Sequence, residues 1–430
     1  MKFVIDFLGC KVNSYEVESV ANDLINHGFT EINKNSSEIP DVVIINTCAV
    51  TETSSSKSKK MIRQYRLKYR DAIIVVMGCF SQYEGDYIIN TLKANIVLGT
   101  NQRSKIYDYI MEYFKNQKPI LIKENIFKTV KYEDLSLKHY FEKTRAFVKI
   151  QDGCNNFCTY CLIPFVRGPS RSRPYESILS EIKTLLENGY KEIILTGIDQ
   201  GSYGLDFENK MTFSDLLEKI LIENPNLYRI RISSIEESQI DDKFYNLLRK
   251  YPNIANHLHI PLQSGSKHVL DLMHRKYNLD NFKSKIKKIR EIRPDIAITT
   301  DVIVGFPQET KEDFLETANF IKEINFSKVH VFPYSDRKGT IASRMPNKVS
   351  DYDKKCRVNL LIDLSNELEK EYESKFYGQE IEFLFESYDK RLNAYKGHSS
   401  NYLECFIKSN EDIKDKTIKV KFDKENSLLY

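Results

Sequence analysis

The chain has 430 residues, 41% hydrophobic and 29% charged, enough for two or three domains with cores of their own. Basic residues exceed acidic ones by 64 − 60 = +4, a mild surplus that permits a nucleic-acid partner and confines any electrostatic footprint to local patches. No run of eighteen apolar residues occurs, so no transmembrane helix and no membrane partner is expected.

The opening MKFVIDFLGCKVN reads as a first strand, because its apolar run is too short for a signal segment. A cytoplasmic protein is expected, and there eight cysteines point to metal or catalysis rather than disulfides. Short β-branched runs at 3–9, 41–47 and 72–78, separated by longer polar–apolar stretches, predict buried parallel strands. Residues 1–112 are thus expected to form a doubly wound parallel α/β domain. A helix near 103–116 and a linker over 113–139 follow. Apolar runs then recur at 146–151, 192–197, 228–234, 257–262, 297–306 and 328–335, with amphipathic stretches such as 174–188 and 310–324 between them. Six strand–helix units over 140–370 predict a partial (β/α)6 barrel with one open side. One long helix is expected over 351–378, ended by Gly378. Short strands at 379–387, 402–409 and 417–423 then suggest a small antiparallel β-barrel over 373–430.

Cys154-x3-Cys158-x2-Cys161 lies in DGCNNFCTYCLIPFVRG, directly after a predicted strand. A zinc site generally takes four ligands, often as two pairs, and no second pair lies near. An iron–sulfur cubane takes cysteine thiolates on separate irons, so three cysteines leave one iron open to a ligand. Cys10, Cys48 and Cys79 are far apart in sequence, yet each closes a predicted strand of the first domain. Strands of a parallel sheet end on one edge, where open α/β sheets place their sites. Each alone reads as a buried core cysteine; together they suggest a second cluster site. Cys356 and Cys405 have no such company and read as structural.

With these residues in view, the chain resembles the radical S-adenosylmethionine (SAM) methylthiotransferases. GCNNFCTYCLIPFVRG is similar to their radical-cluster signature, and LGCKVN, NTCAVT and MGC to their N-terminal domain. LTGIDQGSYG, HIPLQSGSKHVLDLMHRKY, TDVIVGFPQET and VFPYSDRKGTIA are similar to later blocks. The expected C-terminal barrel stands where the family carries a TRAM domain, which is OB-like. Gln308 departs from a frequent glycine, and the C-terminal segment from 373 onward is not basic, with 10 Lys/Arg against 11 Asp/Glu.

The resemblance implies two [4Fe–4S] clusters, one on Cys154, Cys158 and Cys161 and one on Cys10, Cys48 and Cys79. It implies SAM on the open iron of the first, cleaved to a 5′-deoxyadenosyl radical that takes hydrogen from adenosine C2. The second cluster would present sulfur, methylated by another SAM. LGCKVN with NTCAVT most resembles enzymes acting on N6-threonylcarbamoyladenosine in tRNA. Isopentenyladenosine in tRNA and an aspartate of a ribosomal protein are the neighbouring substrates, and a non-catalytic zinc and RNA-binding protein is the rival of another class. A reducing donor of flavodoxin or ferredoxin type is implied.

Further candidates stand at predicted strand ends: Thr196, Gly197 and Ile198, then Arg231, Ser233 and Ser234, Gln263 and Ser264, and Asp301. Helix capping or satisfaction of buried backbone competes with cofactor binding at each. For tRNA phosphates, the acid-free stretch 56–70 offers Lys59, Arg63, Arg66 and Arg70 on one helical face. Arg167, Arg171 and Arg173 follow the cysteine loop, and Lys390, Arg391 and Lys396 form a possible patch near one C-terminal loop. A solvated charged face is the ordinary alternative.

Overall fold

A computed structural model describes residues 1–135, 137 and 144–427. The expected linker therefore lies partly outside the described residues, as do the first few residues of the expected barrel and the last three of the chain.

The first unit is a six-stranded parallel sheet: β1 (Lys2–Phe7), β2 (Thr30–Glu31), β3 (Val42–Thr47), β4 (Ile73–Gly78), β5 (Ile96–Leu98) and β6 (Ile120–Ile122), in the order β2-β1-β3-β4-β5-β6. Helices α1 (Lys11–Asn26), α2 (Glu52–Lys68), α3 (Cys79–Asn90) and α4 (Ile106–Asn116) cover it. β3 and β4 are buried throughout, because VVIINT and IIVVMG face a hydrophobic cluster on each side of the sheet. β6 falls inside the expected linker. Three half-buried residues, ILI, give too short a run to read from sequence, and the first unit extends beyond residue 112.

The second unit contains β7 (Arg145–Lys149), β8 (Gln151–Asp152), α5 (Ile163–Arg167), β9 (Arg171–Ser172), α6 (Tyr175–Glu187), β10 (Glu192–Thr196), α7 (Phe213–Glu223), β11 (Arg229–Ile232), α8 (Asp242–Lys250), β12 (His257–His259), α9 (Lys267–Leu272), α10 (Leu279–Ile292), β13 (Ala297–Val304), α11 (Lys311–Ile324) and β14 (Lys328–Pro333). Its six barrel strands pair in parallel as β7-β10-β11 and β12-β13-β14, joined by the parallel bridge Ile230↔Ile254. This is the expected partial barrel. The departure at Gln308 also has a backbone meaning: its φ is 69°, a left-handed position that glycine adopts without the Cβ penalty of about 1–2 kcal/mol.

Helix α12 (Asp351–Ser374) starts on a Ser350 cap and buries Leu361, Leu364 and Leu368. It ends four residues before Gly378, whose N–H instead donates to the Phe422 carbonyl at 2.8 Å. The last unit is an antiparallel sheet of β15 (Glu380–Asp389), β16 (Ala394–Ser399), β17 (Glu404–Ile407) and β18 (Thr417–Lys421), ordered β17-β16-β15-β18. Phe406 N–H donates to Asn426 O at 2.7 Å, which curls the sheet toward closure. β16 is not among the expected strands, because AYKGHS lacks the β-branched alternation that marks a strand.

Candidate active site at the seam of the two α/β units

The order of the first sheet reverses between β1 and β3, and open α/β sheets bind ligands just outside the carboxyl ends at such a switch point. Cys10 follows β1 there, Cys48 is the residue after β3, and Cys79 is the residue after β4. Two glycines make the approach possible. A Cβ on Gly9 (φ +122°) would lie 2.9 Å from Asn13 Nδ2 and 3.2 Å from Cys48 Cβ; one on Gly78 (φ +103°) would lie 2.2 Å from Asn46 Oδ1. Asn13, one turn into α1, ties the loops together: its Nδ2 donates to Leu8 O at 2.8 Å and to Thr47 O at 3.3 Å. Ser58 on α2 holds Cys48 by accepting from its N–H at 3.2 Å. Cys48 lies close enough to act on both other thiols. Burial raises Cys10 and pushes Cys79 up to about 12; the Arg167 guanidinium opposes both shifts.

The other triad lies at the carboxyl end of the partial barrel. Cys154 N–H donates to Gly168 O at 3.1 Å, and Asn156 N–H and Ile163 N–H point at Cys154 Sγ and Cys161 Sγ, each at 3.4 Å. Thr159 pins the loop from the far side, donating to Met273 O (3.1 Å) and accepting from Ala342 N–H (2.8 Å). Two motifs far apart in sequence therefore meet at this loop. Arg275 donates to Cys158 Sγ at 3.6 Å and pairs with Glu236. Burial and the neighbouring Asp199 carboxylate push Cys154 well above the ordinary thiol range, and burial pushes Cys161 up to about 12. α3, which begins at Cys79, packs on α5, which begins two residues after Cys161, so the two triads lie on either side of the seam. N–H donors, guanidinium groups and converging thiols suit two anionic thiolate clusters, so this donor set fits.

A buried ionic network locks the two units together. Glu16 of α1 is fully buried and meets Arg103, Lys149 Nζ at 3.0 Å and Arg167 Nη1 at 2.6 Å. Asp152 meets Lys149 at 2.7 Å and Arg167 at 3.2 Å. Burial would raise the Glu16 carboxyl, but Arg103, Arg167 and Lys149 hold it well below the usual carboxylate range. The same opposition depresses Asp152. Arg167 also donates to Cys79 Sγ at 3.3 Å and to Asn13 Oδ1 at 3.0 Å, so one guanidinium joins the network to the first triad.

This corrects the tRNA reading of three arginines. Arg167, Arg171 and Arg173 are 0%, 2% and 0% exposed. Arg171 donates to Arg167 O and Pro169 O at 2.8 and 3.0 Å, and Arg173 pairs with Glu181 at 2.8 Å and Asp134 at 3.1 Å. Buried guanidinium groups need such partners, which leaves them unavailable to phosphate. On α2, Arg63 is exposed, whereas Arg66 donates to the carbonyls of Arg70, Ala72 and Lys93. Lys59 lies over the Phe80 and Tyr87 rings. Arg70 is exposed but lies beyond the end of α2, so the four do not share one helical face. Lys390 and Arg391 are exposed, and Lys396 pairs with Glu404 at 2.7 Å.

The cofactor candidates divide likewise. Thr196, Gly197 and Ile198 leave β10 beside the cysteine loop; Gln151 Oε1, which accepts from Asp199 N–H at 2.8 Å, lies 3.1 Å from where a Gly197 Cβ would stand. Asp199 bonds Asn156 at 3.2 Å and Gln239 at 2.6 Å. Ser233 Oγ and Gln200 Oε1 are buried without a hydrogen-bond partner among the described residues. The Ser234 carbonyl accepts from Gln200. Asp301 lies 3.3 Å from His259 inside the barrel. Gln263 extends the barrel edge, its N–H donating to Asp301 O at 2.8 Å. Two candidates are structural. Ser264 Oγ bonds Thr317 at 3.2 Å and accepts from Ser266 N–H at 3.2 Å. Arg231 points into the barrel toward the last unit, pairing with Glu192 at 2.6 Å, donating to Ser399 O at 3.2 Å and lying 4.0 Å over the Tyr402 ring. Cys405 is buried, whereas Cys356 is exposed on α12. Asp199, Gln151, Arg275, Glu16 and Lys149 escaped notice in the sequence, because their partners lie on other elements.

Family models match two segments: "Radical SAM superfamily" over residues 148–321 and "Uncharacterized protein family UPF0004" over residues 2–99. The chain is 43% identical to the threonylcarbamoyladenosine tRNA methylthiotransferase MtaB of Bacillus subtilis (strain 168), over 96% of this chain and 92% of that one. It is 36% identical to the protein of the same name from Thermotoga maritima, over 94% and 90%. It is also 37% identical to the tRNA-2-methylthio-N(6)-dimethylallyladenosine synthase of Thermoanaerobacter sp. (strain X514), over 90% and 82%. In fold it is similar to the radical SAM methyltransferase TsrM of Kitasatospora setae, with a TM-score of 0.57 and 12% identity over 77% of this chain and 72% of that one. Radical SAM membership implies a [4Fe–4S] cluster and SAM, a demand that the triad on the cysteine loop meets. With relatives of this identity and coverage, the chain belongs to the radical SAM tRNA methylthiotransferases.

Proposed function

We propose that the chain methylthiolates C2 of N6-threonylcarbamoyladenosine, 3′ of the anticodon in tRNA, consuming two SAM molecules. The observation that carries this reading is the pair of cysteine triads on either side of the domain seam, where α3 packs on α5 and Arg167 donates to Cys79 Sγ at 3.3 Å, in a chain 43% identical to a methylthiotransferase named for that substrate. Cys154, Cys158 and Cys161 would hold the radical cluster, and Cys10, Cys48 and Cys79 the second; together these groups supply one-electron cleavage of SAM and a sulfur for transfer. An aromatic C–H bond resists acid–base attack, which is why radical chemistry suits this substrate.

The chain's own residues prepare that chemistry. Arg167 and Arg275 direct N–H donors at Cys79 Sγ and Cys158 Sγ. Ser233 Oγ and the turn at Thr196–Ile198 offer polar contacts to the cofactor. Glu16, Lys149 and Asp152 hold the two units in register and keep water from the seam. Exposed Arg63, Arg70, Lys390 and Arg391 supply cations for tRNA phosphates. A reduced flavodoxin- or ferredoxin-like protein delivers the electron, in the cytoplasm.

Nucleosides from tRNA of a strain lacking this gene, resolved by mass spectrometry, test the reading. The 2-methylthio form of threonylcarbamoyladenosine should vanish and the unthiolated form accumulate. An unchanged level overturns the assignment.

A further inference from the structure

A cavity of about 590 Å³ opens where all three units meet. The barrel lines it with Ser233, His259 and His330, the last unit with Tyr402, and the first unit with Lys11. Lys11 is bonded directly to Cys10, so its Cα is about 3.8 Å from that of a proposed cluster ligand. The cavity thus opens beside the residue that follows Cys10 and runs along the amino-terminal half of β12, β13 and β14, so a group attached to a base held at the first triad can extend into it.

Two of the three lysines around this space are compensated. Lys328 pairs with Glu369 at 2.7 Å, and Lys396 with Glu404 at 2.7 Å. Lys11 is the third: among the described residues it makes no ion pair and no side-chain hydrogen bond, and the nearby charged side chains include the cations Arg231 and Arg145, while the lining carboxylate Glu373 likewise makes no ion pair among the described residues. An uncompensated cation at a partly buried position is costly unless a ligand brings the counter-charge. Among the two substituents named for the relatives, dimethylallyl is a neutral hydrocarbon, whereas threonylcarbamoyl ends in a carboxylate and a hydroxyl.

We propose that this three-domain cavity is the subsite for the N6 substituent and that Lys11 binds its carboxylate, which makes Lys11 a specificity-determining residue. The proposal rests on the threonylcarbamoyladenosine reading and adds to it the group that recognises the substituent. It accounts for a cavity lysine that has no ion-pair partner among the described residues.

The test pairs a protein variant with a substrate variant. Wild type, Lys11→Met and Lys11→Arg, each loaded with both clusters, are titrated with anticodon stem-loop RNA carrying either the threonylcarbamoyl acid or its neutral methyl ester. Binding is read by fluorescence anisotropy and product by mass spectrometry, with iron content and the cluster spectra checking that Cys10 still ligates. Wild type should prefer the acid by about 10- to 100-fold, the value of a charge-assisted contact. Lys11→Met should bind acid and ester alike, and Lys11→Arg should keep most of the preference. An acid preference that survives in Lys11→Met overturns the role of Lys11 while leaving the substrate reading intact. A wild type that thiolates dimethylallyl RNA and ignores both threonylcarbamoyl RNAs overturns the substrate reading and the proposal together.

Discussion

Glu16→Gln removes one negative charge from a place that no water can refill. The side chain is fully buried, and its oxygens serve Arg103, Lys149 and Arg167 at once. In this network Arg103, Lys149, Arg167 and Arg171 face the carboxylates of Glu16, Asp152 and Glu133. A unit pair about 3 Å apart attracts by about 5 kcal/mol at an effective dielectric near 20, and much of that only offsets desolvation in the intact network. The variant keeps the desolvation cost of the cations and loses the attraction, so it should lose about 3–5 kcal/mol. At about 2 cal/mol/K of unfolding entropy per residue, cooperative melting of the chain then falls by about 3–6 °C. The assay is calorimetry of the cluster-loaded protein under anaerobic conditions, with iron content measured on the same sample. The pH profile gives a second reading. Glu16 and Asp152 are both depressed by their cations, so their contribution is complete above the unfolded carboxylate values near pH 4. It is lost as pH falls through the lower folded values. Wild type should therefore hold its melting temperature from about pH 7 to 5, and Glu16→Gln should show a shallower acid slope below that. A variant that melts within about 1 °C of wild type, with full iron content, would refute the network as the clamp between the units.

Cys48→Ala should retain SAM cleavage, lose methylthiolation and drop about four irons per chain; normal sulfur insertion would contradict the second-triad assignment. Arg275→Met removes a cationic donor 3.6 Å from Cys158 Sγ and leaves Glu236 unpaired, so the radical cluster's potential should become more negative and SAM cleavage slow by about tenfold. An unchanged potential in a redox titration followed by EPR would rule that role out. Arg63→Glu should lower the salt slope of tRNA binding by about one, while Arg173→Met should leave the slope alone and lower the melting temperature, since Arg173 is buried on Glu181. The reverse pattern would restore the phosphate reading of Arg173. Burial would lower the pKa of His398, but hydrogen bonds to Glu386 and Glu404 raise it overall. The protonated form thus stabilises the last sheet fully below about pH 6.5, and this is lost as pH rises through the raised folded value. Amide protection factors in β16 should fall across that range, and His398→Gln should remove the step.

The most local features were the ones legible in the chain. Six barrel strands and β1, β3 and β4 of the N-terminal sheet announce themselves by short apolar, mostly β-branched runs, because strands buried on both faces need apolar side chains on each. Cysteine placement was equally legible, since a residue that ends a parallel strand has its edge set by the fold class alone. β6 and β16 escaped because three half-buried residues, or a mixed AYKGHS, carry no period.

Charge was where sequence and structure parted. Arg167, Arg171 and Arg173 look like a basic loop because nothing acidic lies immediately beside them in sequence. Their counter-charges, Glu16, Asp152, Asp134 and Glu181, arrive from other elements. Lys11 runs the other way: in sequence it is an ordinary lysine after a cysteine, and only the meeting of three units leaves it in a cavity without an ion-pair partner among the described residues. By itself the chain determined the two cysteine triads and the sheets that carry them, because spacing and periodicity act within one element. The tertiary structure decided which cations face RNA, which clamp the domains and which wait for a substrate, because burial and ion pairing depend on neighbours brought by folding from distant parts of the chain.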